Sequence, residues 1–386
     1  MYNPIDAHQA IKGKIEVISR VKVDTKDDLS TYYTPGVALP CLEIEKDPKK
    51  SYLYTRRHNL IAVITDGSAV LGLGNIGPEA SMPVMEGKAM LFKTMADVDA
   101  IPLCIDTQDT KELIKTITYL AKNFAGINLE DISAPRCFEI EKALNEALDI
   151  PVFHDDQHGT AVVLFAALSN ALKLVNKKLD QVKIVINGAG AAGTAITEFL
   201  LDAGTKNLIV CDKDGILSET NPLISESHMI LAKKTNSLHL EGSLSDAMMD
   251  SDVFIGVSKG NLVTKDMIES MNTKPIIFPM ANPTPEISYD DLKETKAYII
   301  GTGSSKYPNQ INNLLAFPGI FRGTLDSHSK KITKEMMLAA SQAIASSITP
   351  SVYQIIPDAL DPNVHHRVAQ AVYETAIKQN ISKTHE

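Results

Sequence analysis

Beyond about residue 150 the chain alternates short apolar runs with stretches of helical spacing. The runs are KIVIN (183–187), NLIVC (207–211), VFIGV (253–257), PIIFPM (275–280) and AYIIGTG (297–303). Each is short and apolar at consecutive positions, the pattern of a strand buried on both faces. Strands separated by helices predict a parallel sheet covered on both sides. The earlier part carries the same alternation less regularly. LIAVIT (60–65) and AIPLCI (100–105) read as buried strands, and residues 6–20, 109–123 and 137–148 place apolar side chains at helical spacing. Two more helical segments, about 333–348 and 363–379, follow the last strand. The change of rhythm near Ile150–Pro151 predicts two domains, residues 1–150 and 151–386, since a chain of 386 residues exceeds what one core usually serves.

Composition narrows the function classes. With 44% hydrophobic and 22% charged residues the chain is an ordinary globular one. A net charge of -9 argues against nucleic acid and against anionic membranes, both of which reward clustered Lys and Arg. It leaves room for a small anionic substrate, which needs only a local positive site. Cys41, Cys104, Cys137 and Cys211 form no CxxC pair and no Cys/His ligand spacing. They read as reduced thiols of a cytoplasmic protein. The opening MYNPIDAHQAIKGK lacks the charged-then-apolar order of a leader, and the apolar run 161–168 is too short to span a bilayer.

The strand 183–187 ends at Asn187, and GAGAAG (188–193) follows at once, opening an apolar helix that leads to the strand 207–211 and Asp212. This is the glycine pattern of a dinucleotide turn in the context its chemistry requires. Gly188 makes the turn, Gly190 lets backbone approach a pyrophosphate, and Gly193 lets helix pack on strand. The N–H groups from Ala189 through Ala191 and Ala192 face the phosphates, and Asp212 accepts from the adenosine ribose hydroxyls. The C-terminal part is therefore expected to be a Rossmann-type doubly wound parallel sheet, joined to a smaller N-terminal α/β domain. Asp212 favours NAD, because a 2′-phosphate would meet a carboxylate; Lys213 beside it leaves NADP open. The alternative is a glycine-rich turn without a cofactor. A second match, GLGNIG (72–77), lacks a following strand with a terminal acid and reads as a backbone turn near the substrate. Gly87–Lys88 is no phosphate loop, because Met82 and Ala89 stand where that motif needs Gly and Ser or Thr.

Two acidic pairs stand out, Glu130–Asp131 in NLEDISAP and Asp155–Asp156 in VFHDDQHGTA. Carboxylates without thiols suit a hard cation such as Mg²⁺ or Mn²⁺. Either pair alone is equally a helix cap or a solvated turn. Both flank the same expected domain junction, where clefts form. Tyr33 in STYYTPGVA and Lys88 in MEGKAMLFK are the remaining ionisable candidates; each alone reads as a packed phenol and a surface lysine.

YYTPGVA, TDGSAVLGLGNIG, MPVMEGKAMLFK, LEDISAP, FHDDQHGTA, GAGAAG, ANPTPEI and NNLLAFPGIFRG occur in this order. Together they resemble the malic enzyme family in its short bacterial form, over nearly the whole chain. HDDQHGTA and NNLLAFPG are the specific signatures; the glycine turn alone is weak. The resemblance implies oxidative decarboxylation of malate to pyruvate by a homodimer with no nucleic-acid or membrane partner. It implies Tyr33 as general acid, Lys88 as general base, and Glu130, Asp131 and Asp156 as ligands of the divalent metal with Asp155 beside them. It also implies that Asn282 and Asn313 bind substrate, and that Asn282 binds the cofactor as well. The sequence departs from the long animal-type enzymes at Ser68-Ala69-Val70, where those carry a carboxylate-gripping arginine; backbone N–H groups around Gly72–Gly77 are the expected substitute. The chemistry needs one base with a lowered pKa, one acid, one hard metal and one nicotinamide. Three rivals stand beside it: a 2-hydroxyacid dehydrogenase, which needs no metal cluster and uses a His as acid and base; a malolactic lyase, which uses similar parts; and a non-catalytic nucleotide sensor on the same fold.

Overall fold

The computed structural model describes residues 3–70, 72–220 and 224–382. Leu71 of the TDGSAVLGLGNIG stretch and residues 383–386 of the expected second domain lie outside the described residues.

Two parallel sheets organise the chain. The first has β1 (Leu60–Thr65), β2 (Asp99–Cys104), β3 (Gly126–Leu129) and β4 (Val152–His154) in the order β2-β1-β3-β4, all parallel. The second has β5 (Lys183–Asn187), β6 (Asn207–Asp212), β7 (Gly215–Ile216), β8 (Val253–Gly256), β9 (Ile276–Pro279) and β10 (Ile299–Ile300), in the order β10-β9-β8-β5-β6-β7. Only the short β7 pairs antiparallel. Side chains alternate across each strand, so continuous apolar runs require cover on both faces. That cover is present. Ile61 and Val63 join one buried cluster while Ala62 and Ile64 join another; Ile184 and Ile186 separate in the same way from Val185.

The second sheet is doubly wound, as expected. β6 lies on one side of β5 and β8 on the other, so the chain reverses direction between β5 and β8. A crevice opens at the strand ends at such a reversal. The helix Asp155–Val175 runs between the two sheets. By length and composition it could cross a membrane, but it is mostly buried inside this protein. It packs on the helices Ala191–Asp202 and Lys334–Ser346. Near the chain's end, Phe317–Asp326 returns to the first sheet and lays Phe317 and Phe321 edge-on against Phe92, at 4.7 and 5.2 Å between centroids.

One expected helix is cut short. Residues 6–20 were to form it, but the helix is Pro4–Ile11 and nothing helical follows before Lys26. Lys12 turns left-handed (φ 53°), Gly13 follows at φ 123°, and the Lys14 N–H donates to Glu86 of the helix Pro78–Ala96. Left-handed residues of this kind end a helix. The apolar periodicity beyond them is real but serves no buried face, since Val17 is 90% exposed and Ile18 71%. None of residues 3–58 is buried.

Candidate active site

All four strands of the first sheet end on the same side, and three of those ends carry the candidate chemistry. Asp66 follows β1, Glu130 and Asp131 follow β3, and Asp155 and Asp156 follow β4. Lys88 reaches this edge from the buried face of Pro78–Ala96. Its Nζ donates to Asp155 Oδ2 at 2.6 Å and pairs with Glu130 Oε1 at 2.9 Å, and it lies 4.1 Å from the centre of the Phe317 ring. Asn128 Nδ2 donates to Glu130 Oε2 (2.8 Å), and Asn313 Nδ2 donates to Asp155 Oδ2 (2.5 Å). Asp155 Oδ1 is buried and has no hydrogen-bond partner. A Cβ at Gly159 would sit 1.9 Å from that oxygen, which explains the glycine in HDDQHGTA.

Burial penalises every charge here. Burial, partly offset by Lys88, pushes Glu130 and Asp155 up to about 7. Asp156, with its side chain 36% exposed, is raised less, again by burial. Lys88 corrects the expectation of a lowered lysine pKa. Burial pulls it down, but Asp155 and Glu130 outweigh burial and hold it above the ordinary value. As the chain stands, Lys88 is an ion-paired ammonium rather than a free base.

Glu130 and Asp155 contact Lys88, and Asp131 and Asp156 follow them directly in the chain. The Asp131 N–H donates to Asp156 Oδ2 at 2.8 Å, so the two acidic segments touch. An all-oxygen set with excess negative charge fits a hard dication. Among the described residues no three acidic, histidine or cysteine side chains converge as an ion would need. Glu130 is turned onto Lys88 and Asp156 onto the Asp131 backbone, so ligation requires these side chains to swing.

The dinucleotide turn has the expected form. Gly188 holds φ 119°, and a Cβ there would meet Val257 O at 2.8 Å. A Cβ on Gly193 would meet Gly188 O at 1.7 Å, so helix and turn touch backbone to backbone. At Gly190 a Cβ would meet nothing within 4 Å, which leaves the approach open. Ala189 is buried under the turn, Ala191 and Ala192 begin the helix Ala191–Asp202, and no side chain caps its first N–H groups. Those groups suit a phosphate. Asp212 ends β6 with its Oδ2 3.5 Å from His228 Nδ1, a neighbour that sequence reasoning missed. Asn282 comes from the loop after β9, and its carbonyl approaches Gly72 so closely that a Cβ there would sit 2.7 Å away. The turn 72–77 thus touches the loop that follows β9.

Four of that turn's N–H groups are already used locally. Leu73 and Gly74 donate to Val70 O, and Ile76 and Gly77 donate to Gly67 O. Arg136 is also occupied. It pairs with buried Asp66 and donates to Ser68 Oγ (3.1 Å) and Gln108 O (2.7 Å). Tyr33 is not brought to the cluster. It follows the helix Lys26–Tyr32 and is 66% exposed. Phe317, Asn128, Arg136 and the pair Glu141–His158 were also missed, although His158 lies within HDDQHGTA, Phe317 within NNLLAFPG and Asn128 within NLEDISAP.

The family model of the malic enzyme N-terminal domain matches residues 12–145, and that of the malic enzyme NAD binding domain matches 157–377. The NAD-dependent malic enzyme of Geobacillus stearothermophilus is 53% identical over 376 residues, 97% of this chain and 78% of that protein. The bifunctional malic/malolactic enzyme of Bacillus subtilis is 49% identical over 97% of this chain and 93% of its own length. The crystal structure of the NAD-dependent malic enzyme of Thermotoga maritima superposes with a TM-score of 0.95 at 50% identity, covering 97% of this chain and 99% of that one. Near-complete coverage by two family models and by these relatives, over an edge that gathers Lys88, Glu130 and Asp155, makes the conclusion direct: the chain belongs to the malic enzyme family.

Proposed function

We propose that this chain oxidises (S)-malate at C2, releases C4 as CO₂ and yields pyruvate, with NAD as the favoured acceptor and a bound Mg²⁺ or Mn²⁺. The observation that carries the reading is Lys88 clamped between Asp155 and Glu130, in a chain that also carries an open dinucleotide turn. Glu130, Asp131 and Asp156 would hold the metal, and residues 188–193 with Asp212 the nucleotide. When bound, these groups supply a hydride acceptor and an electrophile that polarises the C2 oxygen and draws electron density as CO₂ leaves.

The chain's own residues handle protons and orientation. Lys88 takes the C2 hydroxyl proton at Nζ, which requires the free amine. It must first lose one carboxylate partner, and Glu130, shared between lysine and metal, is the one that leaves. Asp155 stays and aims Nζ, while Asn313 presents its amide beside the lysine and Asn282 closes the opposite wall. C3 of the resulting enolate then needs a proton, and Tyr33 supplies it from a second copy of the chain. Residues 3–58 expose several large apolar side chains, among them Ile5, Val17, Ile18 and Leu39, the kind of surface that partners cover, and covering it in a symmetric homodimer brings Tyr33 against a neighbouring site. The free thiols, two of them buried, suit a cytoplasmic setting.

The test is absorbance at 340 nm with malate, Mn²⁺ and either NAD or NADP, with pyruvate and lactate quantified. NADH rising in step with pyruvate supports the reading. Lactate without NADH establishes the malolactic alternative, which the bifunctional Bacillus relative keeps in view. Cofactor binding without turnover makes the protein a sensor. Asp212 also predicts a higher kcat/KM with NAD, and Asp212→Ser should narrow the gap. A wild-type preference for NADP of about tenfold, ~1.4 kcal/mol, would overturn that assignment.

A further inference from the structure

Glu141 lies on the helix Arg136–Ala147, away from the cleft, and the reaction above does not use it. Its carboxylate is nearly buried (12% exposed) yet accepts from two places at once. His158 Nε2 meets Oε1 at 2.9 Å and Oε2 at 3.0 Å, and the His154 backbone N–H donates to Oε1 at 3.1 Å. His154 is the last residue of β4, and His158 sits one turn into the helix Asp155–Val175. Asp155 and Asp156 lie between those two anchors. The start of that helix has no side-chain cap, so this clamp from a neighbouring helix stands where a cap would. The buried ring of His154 continues the arrangement, with Nδ1 3.8 Å from Asp156 Oδ2.

Packing alone does not fix the pair. A cavity of about 300 Å³ borders Glu141 and His158, with Lys142 and Lys334 on its wall. A ring bordered by open space is oriented by its hydrogen bonds.

We propose that Glu141, acting through His154 and His158, is the positioning residue that sets where Asp155 and Asp156 present their oxygens. The proposal rests on the malic enzyme reading of those two carboxylates. Outer groups that orient ligands are commonly worth about 10–100-fold in metal affinity.

The test compares wild type with Glu141→Gln, Glu141→Ala and the double variant Glu141→Gln, His158→Gln. Mn²⁺ binding is followed by electron paramagnetic resonance, NAD binding by fluorescence, and melting by calorimetry. Glu141→Gln should weaken Mn²⁺ about 10–100-fold and lower kcat, leave the Kd for NAD unchanged, and be exceeded by Glu141→Ala. The double variant, in which one amide can donate to the other, should recover part of the Mn²⁺ affinity. A purely structural role would lower Tm and leave the Mn²⁺ Kd of the folded variants at the wild-type value; that result overturns the proposal. Wild type that binds no Mn²⁺ refutes the metal reading itself, while wild-type binding with an unaffected Glu141→Gln refutes only the role of Glu141.

Discussion

Subunits carrying Tyr33→Phe and subunits carrying Lys88→Ala, each nearly inactive alone, should recover about a quarter of wild-type malate turnover when co-expressed. The number follows from dimer symmetry. Random pairing makes half the dimers mixed. In a mixed dimer one site joins an intact Lys88 to its neighbour's intact Tyr33, and the other site has lost both. Each single variant should fall by about 10²–10⁴-fold, the usual worth of one positioned acid or base. Differently tagged copies let the mixed dimer be isolated and its rate compared with the parents. A mixed dimer no faster than its parents would place Tyr33 in the site of its own chain. Full turnover by Tyr33→Phe alone would make the tyrosine a surface phenol and require another donor for C3.

Asp156→Asn should cost about 10³-fold in kcat, several kcal/mol of transition-state stabilisation, while NAD binds within about twofold of wild type. The substitution removes one negative charge and keeps the shape. The Asp131 N–H can still donate to an amide oxygen, so the local fold is retained and the loss falls on metal binding. Manganese titration should show a matching drop in affinity. EDTA-stripped wild type that oxidises malate at full rate would dismiss Glu130, Asp131 and Asp156 alike as ligands.

Much of the fold was legible because parallel sheets announce themselves. The strands from residue 183 onward are buried on both faces, so their sequences are apolar without interruption, and the glycines after β5 are demanded by contacts of backbone on backbone. The candidate site was legible through its carboxylates and through Lys88, whose neighbours stand at the ends of β3 and β4. What sequence did not reveal depends on distance along the chain. Lys88 lies on Phe317, and Asp66 is neutralised by Arg136; no local pattern links such positions. The charge state of Lys88 was misjudged for a related reason. Desolvation of a lysine is foreseeable, but two facing carboxylates reverse its effect, and their approach is a fact of three dimensions. The segment after Ile11 misled because helical spacing of apolar residues reports a surface to be covered, whether or not a helix forms there.

The ring beneath Lys88 has a consequence for how the protein comes into being. Phe317 and Phe321 enter the chain long after β1 to β4, yet they seal the aromatic cluster around Phe92, and Phe321 also meets Phe153 at 5.9 Å. One continuous buried cluster reaches from Ile61 to Ala376. During synthesis the first sheet therefore waits, with Phe92 uncovered and Lys88 unsupported, until the last part of the chain has emerged. The two halves that family models describe separately share this buried cluster, and Lys88 acquires its seat on Phe317 only when the far end of the polypeptide comes back to provide it.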